Sequence, residues 1–169
     1  MLIRGLFALM LGYFAPDAVP PVDIPAVCSV NLFAVDQDKV SNVRMGPSSE
    51  AAVEARIDPS YAVLHVTGVN GNWFHVTRID DAETDMKMFE GSGWVHRSLL
   101  GLSVASGEHW LMDRPDAASA KRILKLTPDG NRLDPLDCKG EWLKVTVDGK
   151  HNGWIDRPAQ CSNPMTTCS

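Results

Sequence analysis

Gly71-Asn72-Trp73-Phe74-His75-Val76, followed by Gly93-Trp94-Val95, is a pattern that the chain carries twice. The second version reads Gly140-Glu141-Trp142-Leu143-Lys144-Val145, followed by Gly153-Trp154-Ile155. Trp73 and Trp142 stand 69 residues apart (142 − 73), but Gly93 and Gly153 only 60 (153 − 93). The first copy therefore holds about nine extra residues between its two blocks. Upstream, Asn42-Val43-Arg44-Met45-Gly46-Pro47-Ser48 is answered by Leu111-Met112-Asp113-Arg114-Pro115-Asp116. A period this long describes two small domains rather than a solenoid of short repeats.

The segments around these blocks read as strands throughout. Ala62-Val63-Leu64-His65-Val66 and Trp73-Phe74-His75-Val76 are β-branched and aromatic, and Leu143-Lys144-Val145-Thr146-Val147 alternates apolar with polar. Asn70-Gly71-Asn72, Pro128-Asp129-Gly130-Asn131 and Asp148-Gly149 supply turn residues between them. Residues 49–57 and 117–126 carry some helical propensity, but both lead to proline turns, and bent strands are expected there. The fold class is all-β, with two tandem small barrels.

At 169 residues the chain suits two domains of roughly 60 residues, a size at which one core is only marginally stabilising. Its net charge of −5 gives no electrostatic footprint for nucleic acid. Arg4 precedes an apolar run from Gly5 to Ala15, too short to span a bilayer comfortably and suited to a signal peptide or anchor in residues 1–18. Residues 19–39 read as a Pro-rich linker and first strand. The barrels are placed at residues 40–101 and 109–158, and a Cys-containing tail at 159–169.

Cys28, Cys138, Cys161 and Cys168 form an even set in a small chain bound for an oxidising compartment, and disulfides are expected. Of the three possible pairings, the expected one joins Cys138 to Cys161, both at strand ends of the second copy, and Cys28 to Cys168 as a clasp between the termini. No CxxC occurs and no His stands at ligand spacing from a Cys, so a zinc site is not expected.

Taken together, the blocks resemble the bacterial SH3-like (SH3b) domain family in tandem. The first copy keeps the family's Asn-Val-Arg-x-Gly-Pro-Ser opening at residues 42–48, while the second departs from it at Met112-Asp113-Arg114-Pro115-Asp116. Both keep the Gly-x-Trp-x-x-Val strand and the closing Gly-Trp-Val/Ile. The resemblance implies a shallow aromatic groove for short peptides or cell-wall segments. Its candidates here are Tyr61, Trp73 and Trp110, with Trp142 as the second copy's counterpart of Trp73. Trp94 and Trp154 are expected in the cores, with Gly93 and Gly153 letting the backbone pass close to a neighbour.

The nine extra residues fall within 79–90. This hairpin extension carries Asp80, Asp81, Glu83, Asp85 and Glu90, in a spacing unlike a Ca²⁺ loop, and a Met86, Met88 and Phe89 tip read as a partner contact. Its removal over residues 81–90 is expected to leave folding intact. No Gly-x-Ser-x-Gly, phosphate loop or HExxH is present, and a Ser98–His–Asp80 triad lacks any supporting pattern. The expectation is a non-catalytic protein without cofactor or metal, exported to the periplasm or envelope of a bacterium. Its expected partner is peptidoglycan or a stem peptide. The alternative is an accessory subunit of a membrane-associated protein complex, with membrane contact only through residues 1–18 if these are uncleaved.

Overall fold

A computed structural model describes residues 28–35, 40–128, 130–163, 165 and 168. The signal or anchor expected in residues 1–18 lies outside them, as does the Pro-rich stretch up to residue 27. The described residues are all-β, with two short 3-10 turns and no α-helix.

The first half contains β1 (Val30–Ala34), β2 (Ser41–Arg44), β3 (Val53–Ile57), β4 (Ala62–Asn70), β5 (Trp73–Asp81), β6 (Lys87–His96), a 3-10 turn at Arg97–Leu99, and β7 (Leu100–Gly101). The second contains β8 (Ser103–Val104), β9 (His109–Met112), β10 (Arg122–Leu126), β11 (Leu133–Lys139), β12 (Trp142–Val147), β13 (His151–Ile155), a 3-10 turn at Arg157–Ala159, and β14 (Gln160–Cys161). The stretches with helical propensity thus lead into β3 and β10, as expected of strands.

The first half forms a curled sheet in the order β3-β2-β6-β5-β4-β1-β7. The second shows the same order shifted by seven strands: β10-β9-β13-β12-β11 form one ladder, Leu102 bridges to Leu133 beside β8, and β8 pairs with β14. The structural repeat is therefore longer than the sequence repeat. β1 belongs to the first unit, β8 lies in what reads as a linker at residues 102–108, and β14 lies in what reads as a tail. These strands have two to five residues, too few to show periodicity. Register shifts at His65/Val66 and Val76/Arg78 bend the long strands.

Alternation decides what is buried. Leu32, Leu64, Phe74 and Ile79 in the first repeat, and Leu111, Leu143 and Ile155 in the second, are fully enclosed. Each such side chain contributes about 1.5–3 kcal/mol relative to exposure. They belong to one contiguous cluster that runs through Leu100, Leu102 and Val104 from one repeat into the other.

The disulfides correct the expected pairing. Cys28 bonds to Cys138 and Cys161 to Cys168, at sequence separations of 110 and 7. The reason is the packing between repeats. Cys28 forms a parallel bridge with Gly140, Ser29 N donates to Gly140 O (2.7 Å), and Cys28 N donates to Thr67 O (3.3 Å). The entrance of the first repeat is thereby laid against the end of β11. Cys161, in β14, pairs instead with Ser103.

The hairpin extension also differs from expectation. Met86 is 65% exposed at the turn, but Met88 and Phe89 pack on the core, and a Cβ on Gly91 or Gly93 would touch the Phe89 ring. An aromatic ring laid over strand glycines restores the packing they lack. Asp80 and Lys87–Glu90 are paired strand residues, so removing residues 81–90 would cut the β5–β6 ladder rather than an appendage.

Candidate functional site

Gly71 holds φ +60° in the turn between β4 and β5, and this places Trp73 at the first position of β5. The ladder then sets Trp73 opposite His96 and His75 opposite Trp94. Both pairs stack edge to face, at 5.1 Å and 5.0 Å between centroids. By strand alternation all four stand on the face away from Phe74 and Val95. Trp94 is buried as expected, but against His75 on this second face; its counterpart Trp154 is half-exposed, with the Lys144 ammonium 5.9 Å over its ring.

The inner pair is closed. His75 is 6% exposed, with Nδ1 bonded to Thr67 Oγ1 (2.7 Å) and Nε2 to Ser92 Oγ (2.9 Å). Burial lowers its pKa below the ordinary 6.5. A His whose folded pKa is depressed adds stability that is complete above the unfolded value and is lost as pH falls toward the folded one. Urea midpoints of the wild type should therefore decline from pH 7 to pH 5, and His75→Gln should show a shallower decline. Equal slopes would contradict the neutral, buried ring.

The outer pair is open. Trp73 and His96 floor a groove of about 540 Å³, walled by Asn42 and Arg44 of β2, by Pro47 and Ser48 of the hairpin tip, and by Leu99. The Arg44 Nη1 donates to Ala51 O (2.7 Å), tying the tip to β2, and Arg44 makes no ion pair among the described residues. Ser98 N donates to His96 Nδ1 (3.3 Å), so the neutral ring carries its proton on Nε2. The groove thus offers an indole, a ring N–H, a guanidinium and hydroxyls, and among the described residues its lining contains no carboxylate.

Of the four aromatic candidates, only Trp73 lines this groove. Tyr61 adopts φ +63° before β4, at the opposite end of the β4–β5 hairpin from Trp73, so the two cannot share one groove. Trp110 and Trp142 lie in the second repeat, at the positions of Asn42 and Trp73. Trp110 is clamped there by the Arg122 guanidinium, 4.8 Å over its ring, and by its own Nε1 donating to Glu108 Oε1 (3.3 Å). Arg44, His96 and Leu99 were not singled out by the sequence reading. Arg44 lies inside the quoted opening motif, and His96 directly follows the quoted Gly93-Trp94-Val95; the register that sets it opposite Trp73 is the one that sets Leu143 opposite Ile155 in the second repeat.

Three of the extension's carboxylates, Asp80, Asp81 and Glu90, have local partners. Partial burial raises the Asp80 pKa, but hydrogen bonds from Arg78 (2.7 Å) and His65 (2.7 Å) outweigh it and hold the carboxyl below its usual range. Asp81 Oδ1 accepts from Glu83 N and Thr84 N, and Glu90 pairs with Lys87. No group of three His, Cys, Asp or Glu among the described residues could hold a metal ion. Ser98 Oγ lies 2.8 Å from His96 Nδ1, but Asp80 sits seven positions along β5 from Trp73, the partner of His96, so the three are not assembled.

The chain matches no family model and no curated protein. Among the described residues no helix is long and apolar enough to cross a membrane. The two disulfides are those of an oxidising, extracytoplasmic environment.

Proposed function

We propose that the protein is a non-catalytic, exported binding module in a bacterial envelope, built from two SH3-like barrels, and that it recognises peptidoglycan through its stem peptides. The carrying observation is the open Trp73–His96 groove with Arg44 at its side. The barrel reading is supported by the shared order of a leading strand, a hairpin, a three-stranded meander, a 3-10 turn and a closing strand. An extended peptide suits such a groove: the indole gives it an apolar anchor, and Arg44 and His96 donate to its carbonyls or carboxylates.

Calorimetric titration with a soluble stem pentapeptide tests this. Trp73→Ala should weaken binding by at least about 30-fold, the effect of losing an aromatic anchor worth about 2 kcal/mol. Undiminished binding would remove the groove from consideration. The exposed Met86 favours a second reading, an accessory subunit docked on a membrane-associated protein complex. Recovery of a stoichiometric envelope protein that Met86→Asp abolishes, without wall material, would favour it over the first.

A further inference from the structure

The 3-10 turn Arg97–Leu99 has a different hollow on each side. His96 and Leu99 border the Trp73 groove; Arg97, Ser98 and Leu100 border a second hollow of about 540 Å³ between the two repeats. Across it stand Arg132, Asp134 and Leu136. The charges there are unequal. Arg132 Nε donates to Asp134 Oδ1 (3.0 Å), so that pair largely neutralises itself. The Arg97 guanidinium makes no hydrogen bond or ion pair among the described residues; its backbone alone is engaged, the N donating to Asn72 O (2.8 Å) and the carbonyl accepting from Leu100 N.

The duplication supplies an internal comparison. Arg157 holds the place of Arg97 in the second 3-10 turn, and Glu141 precedes Trp142 as Asn72 precedes Trp73. There the arginine is satisfied: Arg157 Nη1 donates to Glu141 Oε1 at 2.6 Å. The hollow beside it, lined by Ser29, Val30 and Asn31 of the first repeat, is about 190 Å³. One repeat supplies its arginine with a carboxylate beside a small hollow. Among the described residues, the other leaves its arginine without one, beside the larger hollow.

We propose that the groove between the repeats binds a carboxylate through Arg97, and that this is a terminal or side-chain carboxylate of the same extended peptide that lies on Trp73. The 3-10 turn separating the two hollows spans about 6 Å at its usual rise, which two residues of extended peptide cross. A planar guanidinium takes a carboxylate through two parallel N–H donors, which gives selectivity for the charged group. The peptide portion of this inference rests on the binding reading above, and the anion portion stands on Arg97 alone.

The test follows the Arg97 Nε–Hε signal by NMR while the disulfide-bonded full chain is titrated with acetyl-Ala-Ala, as the carboxylate and as the carboxamide. The carboxylate should shift Arg97 saturably, the carboxamide at least about tenfold more weakly, and Arg157 should not respond. In calorimetric titration with the same two probes, Arg97→Gln should abolish the preference and Arg97→Lys retain part of it. Equal response to the two probes, an equal shift at Arg157, or an unchanged preference in Arg97→Gln would overturn the proposal. Stem-peptide binding at Trp73 that is unaffected by Arg97→Gln would overturn the shared-ligand portion alone. A carboxylate-specific shift at Arg97 in a protein that ignores stem peptides would leave this anion site standing and remove the wall-binding reading.

Discussion

Gly153→Ala is expected to lower the free energy of unfolding by about 2–3 kcal/mol, the cost of forcing extra volume into a packed site. A Cβ on Gly153 would stand 2.6 Å from Leu111 Cγ and 2.7 Å from Met112 O. Leu111 is fully buried and the carbonyl is backbone, so neither can turn aside. Gly91→Ala is the control, because its Cβ would meet only the Phe89 ring, at 3.2 Å, on an exposed part of β6. Urea unfolding with a shared m-value measures both. Equal stabilities would mean that β13 does not cross β9 as closely as described. The equivalent contact in the first repeat, Gly93 over Val43, gives the Gly-Trp pair the same physical role in both copies.

Loss of the Cys28–Cys138 bond should be costlier. Its 110-residue separation corresponds to about 4–5 kcal/mol of lost constraint on the unfolded chain, against about 2–3 kcal/mol for Cys161–Cys168 with a separation of 7. The double variant Cys28→Ser/Cys138→Ser should therefore unfold at a much lower urea concentration than Cys161→Ser/Cys168→Ser. It also frees the entrance of the first repeat from β11, so the Arg97 groove should lose its shape along with stability. Peptide mapping without reduction should recover a 28–138 linked fragment. A fragment linking Cys138 to Cys161 would contradict the packing of the repeats.

The repeated Trp and Gly-Trp blocks carried the all-β class and the duplication, because large side chains at fixed spacing record a strand and its neighbour. They could not carry the strands that join the repeats. β7, β8 and β14 have two residues each, and only their neighbours define them. For the same reason the cysteine pairing was not legible: Cys28 meets Cys138 through contact between repeats, which no local pattern encodes. Trp73 was legible as a groove candidate, whereas His96 became its partner only once the bulged β5–β6 register was known. The hydrophobicity of Met88 and Phe89 reads equally as a partner surface or as a lid over glycines, and in the structure both pack partly buried against the core. Arg97 was silent in the sequence; its meaning lies in Asn72 standing where the second repeat has Glu141.

The most direct test is co-sedimentation with purified bacterial sacculi of three chains: the wild type, Trp73→Ala and Trp142→Ala. The wild type and Trp142→Ala should pellet with the wall, and Trp73→Ala should remain in the supernatant, placing recognition in the open groove of the first repeat. Pelleting of Trp73→Ala at the wild-type level, or failure of Trp142→Ala alone, would contradict that assignment.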